Sequence, residues 1–163
     1  DARVRPSTRL NYMKKTDAKE EIPGKSRQAV ENIYEYCRKN NAKLVLISTP
    51  STAYWNYKRH NSVAELAESL GVEYVDMNLI NDQVGIEWST DTRDRGMHMN
   101  IYGARKCSAF LGAYLAKTEQ FQDKRKDASY ADWFDALEAF NESTDNALDR
   151  PSPEPEDDTK KAN

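Results

Sequence analysis

The run Leu44-Val45-Leu46-Ile47, closed by Ser48-Thr49-Pro50, decides how the rest of the chain is read. Four consecutive apolar residues rich in β-formers are too short for a helix and fit a strand covered on both faces, as in a parallel sheet. Upstream, Ala29, Val30, Ile33, Tyr34 and Cys37 recur at helical spacing, so Ser26–Asn40 reads as a helix that Asn40-Asn41 stops. Downstream of Pro50 comes a loop, Ser51 to His60, and then a second helix. Ser62 and Glu65 stand at the spacing of a capping box, which places the helix start there. Val63, Leu66, Ala67 and Leu70 form its apolar face, and Gly71 supplies the stop. Val72 to Asp76 is a second strand. Helix, strand, helix, strand with short connections predicts an α/β layered domain.

Further on, Leu79 to Thr90 reads as a short helix or turn, and Trp88 to Asn100 as a polar loop. Asn100 can cap a third long helix whose face is Ala104, Cys107, Ser108, Leu111 and Leu115. After the charged break Asp123–Asp127, a fourth helix spans about Tyr130 to Phe140, with Trp133, Leu137 and Phe140 on one side. Beyond Asn141 three prolines and the acidic run Glu156-Asp157-Asp158 read as a solvated, disordered tail. The division is therefore an extended lead-in over 1–25, an α/β domain over 26–141 and a disordered tail over 142–163. Four helices accompany only two strands, and two strands alone rarely make an independently stable sheet. The pattern implies part of a larger α/β unit, completed by a missing N-terminal half or by another chain.

Composition removes several classes of function. With 27 acidic against 24 basic residues the net charge is -3, which argues against a general nucleic-acid binder. No stretch approaches the ~18–20 apolar residues of a membrane span, and the N-terminus carries no signal-peptide core. Cys37 and Cys107 lie on helical apolar stripes, where free thiols behave as small hydrophobes. Two cysteines without a CxxC spacing and two histidines do not make a zinc site, so no metal is expected.

The chemistry concentrates between Asp91 and Ala104, where two carboxylates precede His98 in a loop that runs directly into a helix. A histidine can take a proton from a hydroxyl nucleophile and hand it to a leaving group. A carboxylate on its other ring nitrogen fixes the tautomer and stabilises the imidazolium. Asp94 is the nearer partner and Asp91 the alternative. The competing reading of His98 is a loop histidine that packs at the helix start.

Asp94 with His98-Met-Asn-Ile-Tyr-Gly-Ala-Arg-Lys resembles the last block of SGNH/GDSL hydrolases, in which aspartate and histidine precede Asn and a Gly-Ala helix start. More narrowly it resembles the bacterial cell-surface branch related to DltD- and AlgX/AlgJ-like proteins of polysaccharide acylation. Ile47 to Ser51 and Val75 to Asn78 resemble that branch's strands, so the likeness covers roughly Thr16 to Trp133. It departs from the common Asp-x-x-His spacing, since Asp94 lies four residues before His98. The resemblance implies a three-layer, flavodoxin-like fold of which this chain is the C-terminal half. It further implies a serine ester hydrolase or O-acyltransferase for acylated cell-envelope polysaccharide, outside the cytoplasm and without cofactor. The nucleophile and oxyanion blocks would lie before Leu44, yet Asp1 to Lys43 holds no Gly-Asp-Ser turn and no Gly-x-Asn-Asp. Alone, the chain is expected to be inactive. The alternative is a non-catalytic module that keeps the frame and binds glycan or a partner.

Other residues have two readings each. Tyr54, Trp55 and Tyr57 either anchor the loop on the core or form an aromatic platform for a carbohydrate or acyl-ester substrate. His60 either bonds backbone groups at the helix entry or touches substrate. Trp88 lines the same cleft or packs beneath the Asp94 loop. Arg93 and Arg95, with Arg105 and Lys106, either face solvent or attract an anionic substrate.

Overall fold

The computed structural model describes residues 2–118 and 121–148. Five helices, α1 (Gly24–Lys39), α2 (Tyr57–Leu70), α3 (Asn81–Val84), α4 (Ile101–Thr118) and α5 (Ala131–Leu148), accompany two strands, β1 (Val45–Ser48) and β2 (Glu73–Asp76). The architecture is mixed α/β, as the sequence predicts. β1 and β2 pair in parallel, with Val45 opposite Glu73 and Ser48 opposite Asp76. Parallel neighbours need a crossover, which α2 provides. This register brings the carboxyl ends of both strands level, so the loops after Ser48 and Asp76 diverge from a common point.

Residues 2–23, ahead of α1, carry neither helix nor strand and form a packed strap. Arg5 N–H donates to Thr92 O, Ser7 N–H donates to Trp88 O, and Asn100 Nδ2 donates to Arg3 O. Asn61 Nδ2 donates to the carbonyls of Thr16 and Ala18. The strap thus closes over the loops at the strand ends before the chain turns into α1.

Several local expectations are corrected. β1 is not covered on both faces: none of its residues is buried and Ile47 is 39% exposed, because the sheet is only two strands wide among the described residues. α2 begins at Tyr57, where Asn56 Oδ1 accepts the N–H of Arg59. Ser62 is therefore mid-helix, and its buried hydroxyl accepts the N–H of Glu20, tying the strap to α2. The capping-box spacing with Glu65 is coincidental. Gly71, with φ of 64°, does end α2 in the left-handed region. In α4 the buried side runs through Gly103 and Cys107, with Phe110 and Leu111 against the core, while Ala104 and Ser108 face outward. α5 continues past Asn141 to Leu148, so the expected tail boundary at 142 is too early; the rest of that tail lies outside the described residues. Trp133, Leu137 and Phe140 do share a side of α5, but that side is open, with Trp133 71% exposed.

The core lies beyond the end of β2 rather than beneath the sheet. Met77, Val84, Ile86 and Cys107 are buried together, with Ile80, Trp88 and Met99 packed against them. Burying a side chain of the size of Met77 contributes about 1.5–3 kcal/mol. This cluster joins α3 and α4 and fixes the intervening loop. No helix among the described residues is long and apolar enough to cross a membrane.

Both cysteines are free, Cys107 buried and Cys37 half-buried. Burial first, then the nearby charge of Asp91, push the Cys107 thiol up to about 11. Thiolate is the reactive form. Ellman's reagent at pH 8 is expected to titrate Cys37 readily and Cys107 only on unfolding; equal rates in the folded protein would refute this burial.

Candidate functional site

The loop from Asp91 to Asn100 is held from below. Asp91 is 1% exposed, accepts Glu87 N–H and Thr90 Oγ1–H, and pairs with Lys106 Nζ at 2.6 Å. That network commits Asp91 to structure and removes it as the partner of His98. Thr92 and Met99 pair as an isolated antiparallel bridge. Asn100 is buried, its Oδ1 accepting the N–H of Tyr102 and Gly103 at the start of α4, while Nδ2 donates to Thr90 O. The predicted cap is therefore present.

At the tip the backbone turns through two left-handed residues, Arg95 (φ 63°) and Gly96 (φ 93°). Gly96 is required there: an added Cβ would overlap the Thr52 hydroxyl and press on Ser7. Ser51 Oγ lies 3.0 Å from Gly96 O, and Ala53 N–H donates to Gly96 O. The loop after β1 and the Asp91–Asn100 loop are thus stitched together through small polar groups.

This leaves Asp94 and His98 facing each other across the tip. Asp94 Oδ2 lies 2.6 Å from His98 Nδ1, and Asp94 Oδ1 accepts the His98 backbone N–H at 2.7 Å. Partial burial works to raise the Asp94 carboxyl. The hydrogen bonds from His98 and the positive charges of His98 and Arg93 outweigh it and hold the group below its ordinary value. Arg93 Nε is 3.9 Å from the same oxygen. The His98 side chain is 55% exposed, so the pair opens to solvent on the imidazole side. With Nδ1 on the carboxylate, proton exchange with a substrate falls to Nε2.

Comparison with protein-family models, curated proteins and solved structures finds no match.

Among the other candidates, Tyr54 joins the pair: its ring centroid is 6.1 Å from that of His98 and its hydroxyl reaches Met97 Sδ. Arg95 sits at the exposed tip. Trp55, Tyr57 and His60 assemble elsewhere, around Asp76. Trp55 Nε1 donates to Asp76 Oδ2 at 2.9 Å, and His60 Nδ1 lies 2.8 Å from the same oxygen. Tyr57 meets the His60 ring edge-on, and Tyr74 stacks on its face. Burial, with the neighbouring Asp76 charge, holds the Tyr74 phenol well above its ordinary value, so it stays a donor to Asp76. Trp88 packs beneath the loop against the core, with Tyr12 edge-on to it.

Asp76 was not singled out by the sequence reading, although its place at the end of a strand before a turn is a usable signal. Asn78, two residues on, is a second missed residue: its Oδ1 accepts the N–H of Ser51, locking the two strand-end loops to each other.

Proposed function

We propose that Asp94 and His98 are the acid–base half of a serine ester hydrolase or O-acyltransferase of the SGNH kind, acting on acylated cell-envelope polysaccharide outside the cytoplasm. The observation that carries this reading is the two-point grip of one carboxylate on His98, at the ring and at the backbone, beneath an open imidazole. In the reaction a serine from a segment beyond these 163 residues attacks the ester carbonyl. Nε2 of His98 takes the hydroxyl proton, and Asp94 stabilises the imidazolium that results. As the tetrahedral intermediate collapses, Nε2 returns the proton to the departing alkoxide. Water, for hydrolysis, or a second hydroxyl, for transfer, then repeats the sequence on the acyl-serine.

In this reading the chain is the C-terminal half of a three-layer, flavodoxin-like domain. The two-stranded sheet, the exposure of Ile47 and the absence of any buried residue on α1 support that, since each is a surface a neighbouring half would cover. The test is hydrolysis of p-nitrophenyl acetate by three proteins: this chain, the chain extended upstream in its gene, and the extended chain with His98→Ala. Turnover by the extended chain and its loss in the variant are expected. An extended chain that is folded and inactive, or a variant that keeps full turnover, refutes the proposal.

A further inference from the structure

The strap and the start of α2 line an open cleft of about 520 Å³, with Tyr12, Tyr57, Glu20 and Asn56 on its walls and the exposed Lys14, Lys15 and Lys58 at its rim. This volume lies in the range of small-molecule sites, about 300–1,000 Å³. Its charge is lopsided in a chain that is acidic overall. Three ammonium groups face one carboxylate, and that carboxylate is already engaged: Arg59 bonds Glu20 Oε1, with Nε at 2.8 Å and Nη2 at 2.7 Å, and Asn56 Nδ2 bonds Oε2. None of Lys14, Lys15 and Lys58 forms an ion pair among the described residues.

The arrangement is held in place rather than trailing. On one side of the lysine pair, the Tyr12 hydroxyl donates to Asn78 and accepts from Asn81. On the other, Asn61 clasps the carbonyls of Thr16 and Ala18. Lys58 comes from the first turn of α2, where the positive end of a helix of 14 residues adds to the field.

We propose that this cleft binds a phosphomonoester carried on a ring-bearing small molecule. Three ammonium groups, of which Lys58 alone acts on the Glu20 carboxylate, match a dianion, and lysine ammonium groups suit phosphate oxygens approached from several directions. Tyr12 and Tyr57 give the remainder of the ligand two aromatic surfaces. The site does not involve Asp94 or His98 and stands whether or not the ester-hydrolase reading does.

The experiment is titration of ¹⁵N-labelled protein at low salt with glucose 6-phosphate, inorganic phosphate and glucose, with amide shifts followed by NMR. Saturable shifts centred on Lys14, Lys15, Tyr57 and Lys58 are expected with glucose 6-phosphate. Inorganic phosphate should bind at the same amides at least tenfold more weakly, and glucose not at all. The triple variant Lys14→Gln/Lys15→Gln/Lys58→Gln should weaken glucose 6-phosphate at least tenfold. A control of equal charge change, Lys117→Gln/Lys124→Gln/Lys126→Gln, should leave it within twofold. Shifts scattered over the surface, equal losses in both triple variants, or no saturation overturn the site. Phosphate binding as tightly as glucose 6-phosphate overturns the ring-bearing ligand. The wild-type shift map decides the location even if the lysine variant folds poorly.

Discussion

Replacement of Asp76 by alanine is expected to cost about 2–4 kcal/mol of folding stability, because it removes the common acceptor of a buried hydrogen-bond network. The Asp76 side chain is 2% exposed and both oxygens are fully used. Oδ2 accepts Trp55 Nε1–H at 2.9 Å and Tyr74 O–H at 3.1 Å, and faces His60 Nδ1 at 2.8 Å. Oδ1 accepts Asn78 N–H at 2.9 Å and Asn78 Nδ2–H at 2.8 Å. Alanine leaves these donors in a part-buried setting, where each unsatisfied group costs about 1–3 kcal/mol before relaxation. The losses do not add, because the Ser48 and Tyr74 hydroxyls, 2.9 Å apart, can still bond each other and the His60 edge can reach water. Urea unfolding at neutral pH measures the difference. A loss under about 1 kcal/mol would mean that the strap and the Asn78–Ser51 bond hold the strand-end loops without Asp76.

That dependence on Asp76 also explains what the sequence could and could not disclose. Elements set by local chemistry were legible: the periodic stripe of α1, the β-rich run of β1, the left-handed Gly71 and the Asn100 cap each act within a few residues. Ser62 failed as a cap because its partner, Glu20, lies far back in the strap, and no spacing rule reaches that distance. The buried face of α4 differs from the periodic stripe because Gly103 must sit against the backbone at Asp91, where an added Cβ would collide with Asp91 O. That contact turns Gly103 and Cys107 inward and Ala104 outward. β1 lacks the cover its apolar run implies, because such a run records what a strand can bury and not which neighbours the fold offers it. At the candidate site, the Asp94–His98 juxtaposition was legible from spacing within one loop. Nearness favours Asp94 over Asp91, but what commits Asp91 elsewhere, Lys106, arrives from the second turn of α4 and is not written in that spacing. The lysine cleft has no signature in local spacing for the same reason: Lys14-Lys15 and Lys58 meet only through the path of the strap.

The second large effect concerns chemistry rather than stability. In the upstream-extended chain, Asp94→Asn is expected to lower kcat for ester turnover by about 10³–10⁴ with KM little changed, the loss seen when a triad histidine is held in the wrong tautomer. An asparagine can still reach Nδ1, but its amide can donate there, which moves the imidazole proton to Nε2 and blocks that nitrogen as a base. Folding should hardly respond, because the pair is partly exposed and such pairs contribute about 0–1 kcal/mol. Its pH signature has a definite sign. Since the folded Asp94 carboxyl lies below its ordinary value, its contribution is fully present above the unfolded value and is lost as pH falls through the folded one. Carboxyl-carbon NMR should therefore place the Asp94 midpoint below that of a free aspartate, and His98→Ala should move it up. Acting as a unit, Asp94→Asn and His98→Ala together should cost no more than His98→Ala alone. If Asp94→Asn instead unfolds the loop while the folded fraction keeps its kcat, Asp94 is a structural latch on His98 and the proton traffic runs through another group.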